Sequence, residues 1–185
     1  RTGPGGNFEI CPDTKSARTA CNDFITKNKD RPDKEAFCGG MWDYINGKLR
    51  NCTSPGGGTG ATQALVWCCC KDVGGSSKLE YCGNLCDSDQ LKRLNPCQIL
   101  CLVAHENYHG KECRQGSPCN PNASDGMGFG DFQEECAYLV EAKCLFSSFK
   151  TICKGAGRGT GKTWDGLEDF PNYNDCAEKA KGCLQ

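Results

Sequence analysis

The chain has 185 residues, a formal net charge of −1 and 18 cysteines. A chain of this length forms one domain or two small ones, and we expect a single domain spanning 1–185. The balanced charge, without a basic stripe or an acidic tail, makes nucleic acid and anionic membranes poor candidates for partners. No apolar run approaches the roughly 18 residues of a membrane span.

The cysteine content predicts an exported protein cross-linked by disulfide bonds. Cysteine makes up about one residue in ten, a density typical of secreted disulfide-rich domains. The absence of any Cys-x-x-Cys pair disfavours a structural zinc cluster made of cysteines. Cys82/Cys86 and Cys97/Cys101 have the spacing of one helix face, and the consecutive cysteines at 68–70 are expected to bond to different partners.

The N-terminal half is predicted to contain two helices and a short β-hairpin. Residues 1–12 are rich in Gly and Pro and are expected to be irregular. One helix is predicted from Asp13, whose side chain can cap it, and another from Pro32, because proline is favoured at the first helical position. The run 61–70 fits either a strand or a buried helical turn, and 79–81 is predicted to be a short partner strand.

The C-terminal half is predicted to contain two long helices. The Asn-Pro pair at 95–96 is a strong signal for the start of the first, and Gly110 is predicted to end it. The second begins at Asp131, where Glu134 completes a capping box, and extends to about residue 149. Shorter helices are expected at 87–94 and 177–180. These features predict a mainly α-helical, disulfide-rich domain, or an α+β domain if the hairpin forms.

Both histidines of the chain fall within the five residues His105-Glu106-Asn107-Tyr108-His109. Side chains at i and i+4 share one face of a helix, so the two imidazoles can bind one ion. The H-E-x-x-H pattern is typical of zinc hydrolases. Zinc supplies a Lewis acid and an activated water, and Glu106 serves as general base and then as general acid. The pattern predicts amide hydrolysis with His105 and His109 as Zn²⁺ ligands and Glu106 as the catalytic residue.

A catalytic zinc site has three protein ligands, so one must come from outside the motif. It is not histidine, because no other histidine exists. Cys101 is excluded as well, because the eight residues from Cys101 to His109 span about 12 Å of helix. A carboxylate of the second long helix is the natural source. The candidates are Glu134, Glu141, Glu135 and Asp131.

The motif and the second long helix resemble the gluzincin type of zinc metallopeptidase. Many of these enzymes carry the third ligand in an E-x-x-A pattern on a downstream helix, and Glu134 stands three residues before Ala137 here. The resemblance covers about Pro96 to Phe149. It implies that Glu134 joins the two histidines as the third zinc ligand.

The cysteine-rich composition is more similar to compact H-E-x-x-H effector or toxin domains at the C-termini of bacterial secretion-system proteins. This second resemblance implies either a place in a larger secreted polypeptide or an immunity or inhibitor partner. The peptidase chemistry itself predicts a protein, a peptide or the peptide part of a cell wall as the substrate. A chain that begins at Arg1 without Met fits a mature product or a fragment. We expect a monomer.

The competing hypothesis is a non-catalytic, disulfide-rich binding or toxin module with a structural metal or none.

Two other sequence patterns are disfavoured as functional motifs. The segment 156–163 is similar to a nucleotide-binding loop but lacks a predicted strand before it and a helix after it. Secreted phospholipases A2 carry a cysteine three residues after the helical histidine, where Tyr108 stands here. Tyr138 is a candidate for a hydrogen bond to the developing oxyanion.

Overall fold

The computed structural model describes residues 7–53, 62–113, 118–119, 131–158 and 163–166. These residues form a helix-rich structure with one small antiparallel sheet, which places them in the α+β class. The elements, in chain order, are β1 (Phe8–Ile10), α1 (Thr14–Asn28), α2 (Lys34–Thr53), β2 (Ala64–Val73), β3 (Ser76–Asp87), α3 (Ser88–Leu91), α4 (Pro96–Cys113) and α5 (Asp131–Phe149), followed by a 3-10 turn at Trp164–Gly166.

The sheet has the strand order β1-β3-β2. Strands β2 and β3 form a hairpin through Gly74 and Gly75, whose φ angles of 61° and 85° lie in the left-handed region that favours glycine. The prediction that 1–12 is irregular was wrong for Phe8–Ile10, which pairs with β3. So short a strand has no periodicity of its own. It forms at the edge of β3, directly before the residue that makes the Cys11–Cys86 disulfide bond.

Helix α4 packs against other elements on two of its faces. It contacts α1 and α5 on one side and β2 and β3 on the other. Leu100 and Cys101 belong to the core between the helices, whereas Leu102 and Val103 pack with Ala64 of the sheet. All five side chains are buried. Because α4 is packed on two faces, it cannot rotate freely about its axis. The directions in which its later side chains point, including those of His105 and His109, are therefore fixed.

The start of α4 is capped, as the Asn-Pro pair predicted. Oδ1 of Asn95 accepts hydrogen bonds from the backbone N–H groups of Cys97 and Gln98, each at 3.0 Å. In return, Oε1 of Gln98 accepts from the backbone N–H of Asn95 at 2.9 Å. This reciprocal arrangement is a capping box, which satisfies backbone donors that the first turn leaves without helical partners.

Gly110 does not end α4, and this prediction was wrong. The helix continues to Cys113, which is disulfide-bonded to Cys68 of β2. At Gly110 the ring of Tyr81 lies so close that a Cβ atom would come within 2.8 Å of it. The glycine therefore provides space for a neighbouring side chain and does not mark a turn.

Seven cysteine pairs lie at disulfide-bonding distance among the described residues. They are Cys11–Cys86, Cys21–Cys97, Cys38–Cys153, Cys68–Cys113, Cys69–Cys82, Cys70–Cys119 and Cys101–Cys144. The cysteines at 68–70 bond to three different partners, as predicted. The helical interpretation was wrong for Cys82 and Cys86, which lie on β3, because a spacing of four is compatible with a strand as well as a helix. Bonds in this number are typical of extracellular proteins.

Helix α5 has the bounds that the sequence predicted. The capping side chain proposed for Asp131 and the short helix proposed at 177–180 lie outside the described part of the chain. Within the described ranges, no helix combines the length and the apolar character that crossing a membrane requires.

Candidate metal centre

Three of the predicted metal ligands meet between α4 and α5. His105 and His109 lie one turn apart on α4, and Glu134 lies in the first turn of α5. One ligand atom from each residue lies within 4.8 Å of the others, and we call these three residues the ligand cluster. Nε2 of His109 is 3.2 Å from Oε1 of Glu134, and Nε2 of His105 is 3.6 Å from Oε2 of the same carboxylate.

The dimensions of the ligand cluster are compatible with a bound metal ion. Two ligand atoms bound at about 2.0–2.1 Å to one tetrahedral zinc ion lie roughly 3.4 Å apart. The two histidine nitrogens lie 3.2 and 3.6 Å from the carboxylate of Glu134, each from a different oxygen atom. Two imidazoles with one carboxylate are also a ligand set found in catalytic zinc sites. The ligand cluster could therefore hold a metal ion, and the identity of that metal as zinc is a prediction.

The ligand cluster is open to solvent mainly through Glu134. The side chain of Glu134 is 31% exposed, whereas those of His105 and His109 are 7% and 2% exposed. Imidazoles held in this way have little rotational freedom. Among the three residues, Glu134 is therefore the one that solvent reaches most readily.

Glu141 contacts the opposite edge of the His105 ring. Its Oε2 atom lies 2.9 Å from Nδ1 of His105, and its Oε1 atom lies 2.9 Å from Nζ of Lys48 in α2. The sequence left Glu141 open as a third ligand. In the structure it stands at Nδ1, while Glu134 stands at Nε2. Lys48 was not foreseen, because no motif marks it and its helix is far from the histidines along the chain.

The other two carboxylates considered from the sequence do not contribute to the ligand cluster as described. Glu135 is not a member of the ligand group found among the described residues, and the side chain of Asp131 lies outside them. The ring of Tyr138 packs edge-on against His105, with ring centroids 4.7 Å apart. This contact places Tyr138 beside the histidine, and its role towards an oxyanion stays a prediction.

Burial and ion pairing act in opposite directions on the ligand cluster. Burial lowers the pKa of His105, but the nearby carboxylates of Glu134 and Glu141 outweigh this effect and raise the pKa to about 9. Burial raises the pKa of Glu134, whereas close contacts with the two imidazoles bring this pKa down to about 2. In the metal-free protein His105 is therefore a protonated partner of two carboxylates, and it must lose a proton when a metal binds.

Glu141 is charged although it is buried, and so is Lys48, whose side chain is 13% exposed. Burial lowers the pKa of Lys48, but the nearby Glu141 and Tyr44 raise it to about 12. Burial raises the pKa of Glu141, and the charges of Lys48 and His105 together with their hydrogen bonds hold it below its ordinary value. Each group thus keeps its charge through the other.

Glu106 is buried directly beside the ligand cluster, with 6% of its surface exposed. Burial raises the pKa of Glu106, against the opposing charges of His105 and His109. A carboxyl group whose pKa is raised by burial, next to candidate metal ligands, is a candidate for proton exchange.

Asn107, inside the motif, links α4 to the sheet and to α1. Its Oδ1 atom accepts hydrogen bonds from Nδ2 of Asn84 at 3.0 Å and from the hydroxyl of Tyr81 at 3.3 Å. Its Nδ2 atom donates to the hydroxyl of Thr14 at 3.1 Å. Residue 107 lies on the helix face opposite His105, so these bonds help to keep the histidines directed towards α5. The partners are distant along the chain, and the sequence did not indicate this role.

Comparisons with protein-family models, with curated proteins and with solved structures found no match. The functional argument therefore rests on the geometry and chemistry of the ligand cluster.

Proposed function

We propose that the protein is an exported zinc-dependent peptidase of the H-E-x-x-H type. The observation that carries the proposal is the ligand cluster of His105, His109 and Glu134, whose ligand atoms lie within 4.8 Å of one another. The resemblance to gluzincins implies the same three residues. Bound Zn²⁺ would supply a Lewis acid that activates water and polarises a carbonyl group.

Glu106 is the proposed proton carrier. It follows His105 on α4 and is buried, and burial raises its pKa. A carboxylate in this environment accepts the proton of the attacking water and later donates it to the leaving amine. Amide hydrolysis needs both transfers, because the amine is a poor leaving group until it is protonated.

The seven disulfide pairs support export, because such bonds form and persist in oxidising compartments. The proposed substrate class is a protein, a peptide or the peptide part of a cell wall. An effector or toxin role, and with it an immunity or inhibitor partner, is proposed on the resemblance alone.

Metal analysis with two variants tests the proposal. We expect about one zinc per chain in the purified protein. Glu106→Gln should keep the metal and lose hydrolysis of casein and of a mixed fluorogenic peptide library. His105→Ala should lose both metal and hydrolysis. Glu80→Gln, which alters an exposed glutamate of β3, is the control. A metal-free parent protein, or full hydrolysis by Glu106→Gln, would contradict the proposal.

A second candidate is a non-catalytic module with a structural metal. Burial favours it, since only Glu134 of the ligand cluster is substantially exposed. In that case the parent protein and Glu106→Gln would bind zinc equally, and neither would hydrolyse any peptide in the library.

A further inference from the structure

A buried ion pair connects α2 to the proposed zinc site. Lys48 of α2 contacts Oε1 of Glu141 at 2.9 Å, and Oε2 of Glu141 contacts Nδ1 of His105 at 2.9 Å. The side chains of Lys48, Glu141 and His105 are 13%, 1% and 7% exposed. The first residue of this chain of contacts lies on a helix that supplies no ligand.

We infer that the ion pair between Lys48 and Glu141 is a positioning device for His105, which directs Nε2 of the imidazole towards the metal. The inference deepens the proposed function and rests on it. Neither residue of the pair needs to touch the metal or the substrate.

The two oxygens of Glu141 explain the geometry. Lys48 holds one oxygen and His105 approaches the other, so the carboxylate is anchored at both ends. A neutral imidazole has one N–H group, and when Nδ1 donates it to a carboxylate, Nε2 presents its lone pair. Nε2 of His105 is the atom that faces Glu134, at 3.6 Å. Contacts of this kind behind a metal ligand set both its tautomer and its orientation.

Glu141 is too deeply buried to occupy this place alone. Removing a carboxylate from water is strongly unfavourable unless a partner compensates the charge. Among the described residues, Lys48 supplies a positive charge next to Oε1 of Glu141, the carboxylate oxygen that does not contact His105. Lys48 therefore stabilises the buried carboxylate that contacts the candidate metal ligand His105.

Two aromatic rings lie near the ammonium group of Lys48. The ring centroids of Tyr44 and Tyr138 lie 5.1 and 5.9 Å from Nζ, within reach of cation–π attraction. The ring of Tyr138 also packs against His105. Tyr138 therefore contacts both Lys48 and the imidazole that Lys48 would position.

The zinc affinity of the metal-free protein tests the inference. In Lys48→Met we expect zinc binding weakened by about 10- to 100-fold, the range typical of residues that support metal ligands. Lys71→Met removes an exposed ion pair with Glu80 and should leave the affinity unchanged. The dissociation constants are measured by competition with a chromophoric chelator.

A double variant separates positioning from folding. Lys48→Met alone leaves a buried carboxylate without its partner and can unfold the protein, whereas Lys48→Met/Glu141→Leu removes both charges. The double variant should keep the helical circular dichroism of the parent and still bind zinc about 10- to 100-fold more weakly. In the zinc-loaded parent, the ¹⁵N chemical shifts of His105 should report one tautomer with Nδ1 protonated, and in the double variant this signature should be lost.

A double variant that binds zinc within about twofold of the parent, or that keeps the parent tautomer, would overturn the inference while leaving the proposed function intact. A parent protein that binds no zinc would overturn both. The two failures are therefore distinguishable.

Discussion

The disulfide bond between Cys101 and Cys144 joins α4 to α5 beside the ligand cluster. Cys101 lies one turn before His105, and Cys144 lies three residues after Glu141. The bond therefore holds together the two helices that supply every residue of the ligand cluster. The same bond uses the cysteine that helix geometry had excluded as a zinc ligand.

Removing this bond should weaken metal binding as well as stability. We expect Cys101→Ala/Cys144→Ala to lose about 2–5 kcal/mol of unfolding free energy and to bind zinc more weakly, because the ligands come from both helices. Cys69→Ala/Cys82→Ala, which opens a bond within the hairpin, should lose stability with little change in zinc affinity. Denaturant titration and chelator competition measure the two effects. Equal zinc affinities in both variants would show that α4 and α5 keep their spacing without the bond.

Neighbouring glutamates on α5 provide a matched test of the third ligand. Glu134→Ala removes a member of the ligand cluster, and Glu135→Ala removes a partly buried carboxylate outside it. Zinc affinity should fall in Glu134→Ala by more than the roughly 10- to 100-fold expected for residues behind the ligands. It should be unchanged in Glu135→Ala. Tight zinc binding by Glu134→Ala would assign the third ligand to another carboxylate.

The metal-free protein should lose stability as the solution becomes alkaline. The pKa of His105 is raised from 6.5 to about 9 in the folded state, so its contribution is complete below pH 6.5 and is lost as the pH rises through about 9. We expect the urea midpoint in the presence of a chelator to fall between pH 6.5 and pH 9. In His105→Gln this fall should be absent. An identical fall in both proteins would assign it to other groups.

Zinc should remove this pH dependence. The bound form requires His105 without its extra proton, so the imidazole no longer titrates in the range in which the metal-free protein loses stability. Zinc affinity should instead rise with pH, by up to about tenfold per pH unit while one proton is displaced. Isothermal titration at several pH values measures the slope. A zinc affinity that does not change with pH below pH 9 would contradict the raised pKa of His105.

Two glycine substitutions should have opposite effects on stability. Alanine is favoured over glycine in a helix by about 1 kcal/mol, and at Gly40 of α2 an added Cβ meets nothing within 4 Å. Gly40→Ala should therefore raise the unfolding free energy. Gly110→Ala places the Cβ 2.8 Å from the ring of Tyr81, and overpacking of this kind costs about 1–3 kcal/mol. Stabilisation by Gly110→Ala equal to that by Gly40→Ala would show that the ring of Tyr81 can shift away from the added Cβ at little cost.

Several features were predictable because they depend on interactions within one helical turn. The spacing of His105 and His109 places both on one helix face, and the caps at Asp13 and Asn95 form as predicted. The strand β1 was missed because its pairing with β3 connects residues far apart in the chain. Gly110 was misinterpreted because the reason for the glycine, the ring of Tyr81, is also distant along the chain.

The sequence by itself determined the chemistry that the proposed site offers: two imidazoles on one helix face, a glutamate beside them, and a third ligand for which the carboxylates of α5 were the natural source. Only the tertiary structure decided how those carboxylates are arranged. Glu134 and Glu141 lie two turns apart on the same helix, and the packing of α5 on α4 brings one to Nε2 and the other to Nδ1 of His105. The position of Lys48 is likewise set by the packing of α2 against α5. Local spacing defines a helix face, whereas the neighbour of that face depends on packing across the whole chain.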